Sequence, residues 1–450
     1  MGEFMKSIIT ERNSQLDYYG EDLVALAEKY GSPLKVLFLD VIKDQIHNLK
    51  KVMDKAIEKH DYKGKFVYST ANKASYCAES ILTSSINSDA VEVSSYNDLC
   101  ITEKIYEIAK IEKTKMIICN GIKEKHYRDK IIEMSIKGYN MLDIIDSVDE
   151  FDYLESNAKT KINVGLRVNL KSLYGHSESD RFGLTKEDFD ILEKKIFKAK
   201  NLVCTTIHYH QRGFDYEDDK FYQNLTIVLE KYYIPLSKKF NTIKNLDLGG
   251  GTPLPTFKDF DYDSWADGLI KYFKDHNTDC NLICENGKYT FKDSIVNIYQ
   301  IIQKKDTNKD FTWYVINGSL LLAMAEKYAV GEDLLVAPIN LLDHKKIRTK
   351  LAGVTCDCDD TFYDHEIDGL MLPEFTNNEK LYIGILGAGS YQEVMNGRNG
   401  IHHCLLPEEI RLVVFNKDGK KNYIVTNELQ SPEDICKLMQ CNNEHLKKFM

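Results

Sequence analysis

At 450 residues the chain exceeds the roughly 250–300 at which one hydrophobic core stops growing, and 43% hydrophobic and 28% charged residues with 8 prolines exclude a disordered or fibrous protein. A formal charge of −10 without a dense Lys/Arg block excludes recognition of a phosphate backbone, so no nucleic-acid partner is expected. No apolar run approaches the roughly 20 residues of a spanning helix, and eleven scattered cysteines fit reduced thiols, so no membrane partner and a cytoplasmic location are expected.

The opening MGEFMK carries Lys6 where a myristoylation signal has Ser or Thr, so it is not read as a lipid anchor. Short apolar, β-branched runs then alternate with longer helix-period stretches: FVYS near 66, AVEV near 90, MIIC near 116, MLDII near 141 and NVGLRV near 163. VCTTIHY near 203, NLDL near 245 and NLICE near 281 complete a set of eight. Eight strand–helix units predict an α/β fold, a (β/α)8 barrel of the TIM type whose chemistry sits at the carboxyl ends of the strands. After about residue 300 the runs FTWYVI, IRTKLAGVT, KLYIGIL and EEIRLVVF lack regular helices between them, which predicts a β-rich C-terminal domain. The early run LKVLFLD is expected to pair into it. The expected domains are therefore 1–40 as a segment of the β domain, 41–300 as the barrel, and 301–450 as the rest of the β domain.

Five segments carry candidate chemistry. YSTANKA places Lys73 just past a strand end among small residues, where shielding would favour the neutral amine and imine formation with an aldehyde; a surface lysine in a βα loop is the plain alternative. LDLGGGTP offers Gly249, Gly250 and Gly251, whose bare backbone suits close approach of a phosphate or simply a tight turn. IHYHQRG carries His208 and His210, two residues apart. A metal pair completed by His402, His403 and Cys404 lacks the spacing of strong signatures, so no metal is expected, and stacking on a cofactor ring or a plain strand-end histidine is preferred. CENGKY sets Glu285 in an apolar strand end, which demands a partner, either a cofactor nitrogen or a neighbouring cation. CDCDD, residues 356–360, gathers thiols and carboxylates; it lacks the glycine and terminal glutamate of a calcium loop and also reads as a solvated acidic turn.

Taken together, these segments resemble the fold type III pyridoxal 5′-phosphate (PLP) decarboxylases of ornithine, diaminopimelate and arginine, from about Tyr30 to about Val414. ICNGIKEKHY, VGLRVNL, DRFGLT, WYVINGSLL, GVTCDCDD and GSYQEVMNG are most similar to biosynthetic arginine decarboxylases. The resemblance implies PLP held as an imine on Lys73, His210 stacked on its ring, and Glu285 at its ring nitrogen. It implies Gly249, Gly250, Gly251 and Tyr391 at the phosphate, with Lys288 standing where the family has an arginine. Cys356 would return a proton, and Asp357, Asp359 and Asp360 would face the basic end of a small-molecule amino acid. It further implies a homodimer with shared active sites. Asn317 stands where ornithine decarboxylases carry an aspartate, which favours a guanidinium and hence arginine. Ornithine, lysine or meso-diaminopimelate as substrate, a racemase of the same barrel, and a decarboxylase-like regulatory protein are the alternatives. Arg212 and Gly213 replace a Gly-Ser pair, and the chain is shorter than typical biosynthetic arginine decarboxylases.

Overall fold

The computed structural model describes residues 8–170, 181–210, 219–254, 260–306, 310–332, 334–365 and 368–450. Arg212 and Gly213 lie outside these residues. Two units divide the chain: a sheet unit, residues 8–42 and 291–450, and a barrel unit, residues 43–254 and 260–290.

The sheet unit begins with β1 (Ile9–Arg12), β2 (Gln15–Tyr18) and β3 (Glu21–Asp22), a small antiparallel sheet, followed by β4 (Leu34–Phe38). The barrel unit then supplies β5 (Phe66–Ala71), β6 (Ala90–Val93), β7 (Met116–Cys119) and β8 (Met141–Ile145). It continues with β9 (Ile162–Arg167), β10 (Leu202–His208), β11 (Asn245–Asp247) and β12 (Asn281–Asn286). Neighbours pair in parallel throughout, and β12 returns to β5 to close the barrel. These are the eight runs anticipated from sequence. Because helices cover the outside and side chains fill the inside, β6 and β8 are buried at every position, which explains why each reads as an apolar run broken by one acid, Glu92 or Asp143, rather than as an alternation. Ala90, Ile118, Leu142, Ile144 and Ile283 form a cluster within the wall. Three of the helices between strands start at side-chain caps: Ser95 accepts from Asp98 N, Ser147 from Glu150 N, and Thr185 forms a reciprocal capping box with Asp188.

In the sheet unit the long strand β13 (Ile295–Asp306) pairs with β4, with β14 (Thr312–Ile316) and with β19 (Tyr382–Leu386). The remaining strands are β15 (Leu335–Pro338), β16 (Lys346–Ala352), β17 (Thr361–Phe362), β18 (Leu370–Pro373), β20 (Ile410–Lys417) and β21 (Lys420–Asn427). The LKVLFLD run is β4, antiparallel to β13 and parallel to β20. Its period-2 pattern sends Leu34, Val36 and Phe38 into a core with Val296, Ile298, Leu412 and Val414.

The opposite face of β4 carries Lys35, buried beside its register partner Arg411. Its ammonium lies 3.2 Å from Glu393, 3.0 Å from Glu408 and 3.7 Å from Glu409. Arg411 also contacts Glu393, Tyr299 donates to Glu409 at 2.6 Å, and His402 meets Glu408 at 3.0 Å. Burial raises the Glu409 carboxyl and the neighbouring Glu408 and Glu393 raise it further, against the opposing pull of Lys35 and the Tyr299 hydroxyl. Removing the central cation strands buried anions, a change that costs about 3–5 kcal/mol in other proteins. Lys35→Met is therefore expected to lower the urea midpoint of the sheet unit strongly. Lys125→Met, which breaks the exposed Lys125–Asp129 pair, is expected to leave the midpoint almost unchanged.

Candidate active site

The carboxyl ends of the barrel strands carry a connected set of polar groups. Lys73 sits in the single 3-10 turn (Asn72–Ala74) that follows β5, and its Nζ donates to Glu92 Oε1 at 2.8 Å. Glu92 is the one charged residue of β6 and is fully buried. Asn120, directly after β7, donates through Nδ2 to Glu92 Oε1 at 3.0 Å and to Glu285 Oε1 at 2.8 Å. A hydrogen-bonded chain thus runs Lys73–Glu92–Asn120–Glu285 across the mouth, from β5 through β6 and β7 to β12. Glu285 also lies 3.8 Å from His208 Nε2, and it groups with His208 and Asp247 of the neighbouring strand ends.

The electrostatics follow from burial and from which neighbours carry charge. Burial pushes the Glu285 carboxyl up, but His208, the Lys73 ammonium and the Asn120 amide outweigh it and hold the group well below the usual carboxylate range. Burial raises Asp247, and the adjacent Glu285 charge raises it further, so of the two carboxyls Glu285 is the anion. Asp98, behind the Lys73–Glu92 pair, is pushed up to about 7 by burial and by Glu92. His208 is lowered by burial, and His210 is lowered to about 4 by the surrounding barrel wall even though one edge of its ring is open. Both imidazoles are therefore neutral at pH 7.

The glycine run follows β11. Gly249 and Gly251 have φ of +67° and +113°, a region that disfavours side chains. A Cβ at Gly249 would stand 2.5 Å from His210 Nδ1, and one at Gly250 would stand 2.9 Å from the Glu285 carbonyl, so the bare backbone is required here. Gly250 N donates to His210 Nδ1 at 3.1 Å, which occupies the lone pair that a metal would need. His208 and His210 therefore part company: the first faces Glu285 inside the barrel, the second faces the glycine loop. Lys288 opens the short helix Lys288–Phe291 after β12.

In the sheet unit, residues 356–360 form the tip of the hairpin between β16 and β17. Cys356, Asp357, Cys358 and Asp359 are exposed. Asp360 is not. It is 1% exposed and accepts from Leu320 N at 2.7 Å, from Ser319 Oγ at 3.2 Å and from Thr355 Oγ1 at 2.7 Å. Its carboxylate fills the space where Gly353 would carry a Cβ. The expectation that Asp360 faces substrate is corrected: its lone pairs are spent on fixing the loop. Asn317 is likewise committed, accepting from Gln300 N at 2.9 Å and donating to Ser32 Oγ at 3.2 Å, so its identity does not report directly on substrate charge. Tyr391 follows β19 with φ of +60° and is half-buried.

Glu92, Asn120 and Asp247 were absent from the sequence reading, and His208 had no distinct role in it. Glu92 had a visible signal, a charged residue inside the apolar run AVEV; Asn120 had none beyond its place after MIIC.

The histidines set a pH dependence. Between about pH 6.5 and 4 an unfolded chain protonates at His210 while the folded chain does not, so ν in the unfolded state exceeds ν in the native state and this contribution to stability falls as pH drops. His208 acts in the same sense. Asp98 acts oppositely, because its raised carboxyl takes up a proton on folding. The double variant His208→Asn/His210→Asn is expected to lose less stability than the wild type between pH 6.5 and 4, read from urea midpoints.

No family model matches the chain. By sequence it is 25% identical over 294 residues to a biosynthetic arginine decarboxylase of Prochlorococcus marinus, covering 60% of this chain and 45% of that protein. The chain spans about half the length of such arginine decarboxylases. It is 23% identical over 420 residues to the diaminopimelate decarboxylase of Aquifex aeolicus, covering 91% and 93%. By fold it is similar to the biosynthetic arginine decarboxylase of Campylobacter jejuni, with a TM-score of 0.83 at 16% identity over 100% of this chain and 92% of that one. It is also similar to a diaminopimelate decarboxylase from M. jannaschii, with a TM-score of 0.78 at 19% identity over 96% and 98%. The proteins it is similar to, by sequence and by fold, thus include biosynthetic arginine decarboxylases and diaminopimelate decarboxylases.

Proposed function

We propose that the chain decarboxylates a basic L-amino acid with PLP bound at the barrel mouth, arginine being the first candidate and agmatine its product. The observation that carries this reading is the hydrogen-bonded chain from Lys73 to Glu285 beside a glycine loop that tolerates no side chains. The residues fit the cofactor. Buried polar atoms face the mouth without a hydrogen-bond partner: both His208 nitrogens, Glu92 Oε2 and Asp247 Oδ2. Such atoms are costly to leave unmade and are the expected lining of a site built around a polar ligand.

Lys73 Nζ is the amine that would hold the cofactor's aldehyde carbon, and Glu92 Oε1 orients it. Ionised Glu285 would keep a proton on the ring nitrogen, Gly249, Gly250 and Gly251 with Lys288 and Tyr391 would hold the phosphate, and His210 would cover one ring face. When bound, PLP supplies an electron sink for the pair released as the bond from Cα to the carboxylate breaks. Cys356 Sγ then returns a proton to Cα, while Asp357 and Asp359 bind the cationic end of the substrate. The active form is a homodimer in which Lys73 and Cys356 come from different subunits.

A second substrate, meso-diaminopimelate, is favoured by the Aquifex aeolicus relative, which matches over nearly its whole length. Incubating the protein with a panel of basic amino acids, with CO₂ and amine both quantified, separates the two. Arginine is expected to give agmatine; lysine from meso-diaminopimelate would replace that substrate, and no CO₂ from any member of the panel would overturn the enzyme. Lys73→Ala is expected to abolish the cofactor's visible absorbance. Cys356→Ala is expected to keep that absorbance and lose about 10²–10⁴-fold in kcat. Mixing the two inactive variants is expected to restore activity if the site is shared, and to leave it absent if it is not.

A further inference from the structure

We propose that Cys356, His403 and Cys404 form a binding site for a thiophilic divalent cation of the zinc class, three ligands that leave the fourth tetrahedral position open. Cys356 Sγ lies 3.3 Å from Cys404 Sγ and 4.0 Å from His403 Nε2, and the three ligand atoms all lie within 4.8 Å of one another. Asp357 Oδ2 stands 3.9 Å from His403 Nε2. Zinc bonds of about 2.3 Å to sulfur and about 2.0 Å to nitrogen put tetrahedral ligand atoms about 3.3–3.8 Å apart, so the Cys356–Cys404 and Cys356–His403 distances lie within a few tenths of an ångström of that spacing. Two thiolates and an imidazole select zinc over magnesium or calcium, which take oxygen ligands.

Both halves of this cluster are anchored from beneath. On one side, buried Asp360 ties the Cys356 loop to Ser319, Leu320 and Thr355. On the other, buried His402 is fixed by Glu408 at 3.0 Å, and Glu408 also accepts from Asn399 N at 3.0 Å, so the residue next to His403 cannot drift. Asp357 is held as well: its Oδ1 accepts from Asp359 N at 2.9 Å, leaving Oδ2 toward His403. The Cys356 backbone N–H points to Cys404 Sγ at 3.4 Å, a donor that stabilises a thiolate. Cys404 and Leu405 adopt φ of +55° and +52°, consecutive left-handed residues without glycine, and this backbone turns Cys404 toward Cys356. Outer contacts of this kind are what orient metal ligands in built sites.

A cation here takes the Cys356 thiolate out of use, so zinc would inhibit decarboxylation. That consequence rests on the reading of Cys356 as proton donor; the binding itself does not. The test is titration of the full-length protein, reduced and chelator-treated, with cobalt as a spectroscopic probe and with zinc by calorimetry. The expected result is one cation per chain, a thiolate-to-cobalt charge-transfer band that zinc displaces and magnesium does not, and inhibition by zinc. Cys404→Ser and His403→Ala are each expected to weaken zinc by more than the about 10–100-fold that loss of an outer hydrogen bond costs. Absence of the charge-transfer band, or a band and affinity unchanged in both variants, would overturn the site. A cobalt band with full activity at saturating zinc would support the site and overturn the role given to Cys356.

Discussion

Closing eight parallel strands into a barrel forces every strand to deliver its carboxyl end to the same rim, whatever the sequence distance between strands. Glu92, Asn120 and Glu285 come from residues far apart in the chain, yet one asparagine amide bridges both carboxylates because β6, β7 and β12 end at one level. The glycine loop after β11 depends on the same closure. Leu248 N bonds the Ile283 carbonyl and Glu285 N bonds the Gly249 carbonyl, so the loop is stitched to the strand that carries the key carboxylate. Remove the closure and these groups have no reason to meet.

Buried charge separates the structural parts from the chemical ones. Asp360 and Glu408 are buried acids, and Glu393 a half-buried one, whose oxygens are occupied by backbone donors, lysine, arginine or histidine. Lys123 is a buried cation of the same kind, set 2.7 Å from Glu150 and 3.3 Å from Asp143 within the barrel unit. Such fully engaged groups fix positions and offer nothing to a ligand. At the mouth Glu92, Asp247 and His208 keep atoms without a hydrogen-bond partner in spite of deep burial, and the three stand on strands that end at one rim. A polar group left unmade costs about 1–3 kcal/mol, and three residues bearing that cost on one rim argue for a partner that is not part of the chain.

The strands were legible in the sequence because a doubly buried parallel strand leaves a mainly apolar run, as MIIC and NLICE show. Lys73, Glu285 and the three glycines were legible because each is unusual at a strand end. Glu92 was legible in principle and overlooked, since a glutamate within AVEV cannot be buried without a donor. Asn120 was not legible: an asparagine after a strand reads as a turn, and only the closed ring reveals that it spans two carboxylates. The five residues CDCDD look equivalent in sequence, yet the hairpin turns the last one inward. That outcome depends on Gly353, whose missing side chain leaves room for the Asp360 carboxylate, and on helix-start amides of Leu320 and Leu321 that no local pattern connects to it.

Withdrawing Asp360 and Asn317 from substrate contact narrows what selects the substrate's charge. Asp357 and Asp359 remain, and one Asp357 oxygen is already spent on Asp359 N. The free oxygen of Asp357 faces His403, beside the Cys356–Cys404 pair. Under the proposed function that oxygen is the one left for the basic end of the amino acid. A cation held by the neighbouring thiols would then act on the substrate's charged end as well as on the proposed proton donor, and the coupling would need no change of conformation.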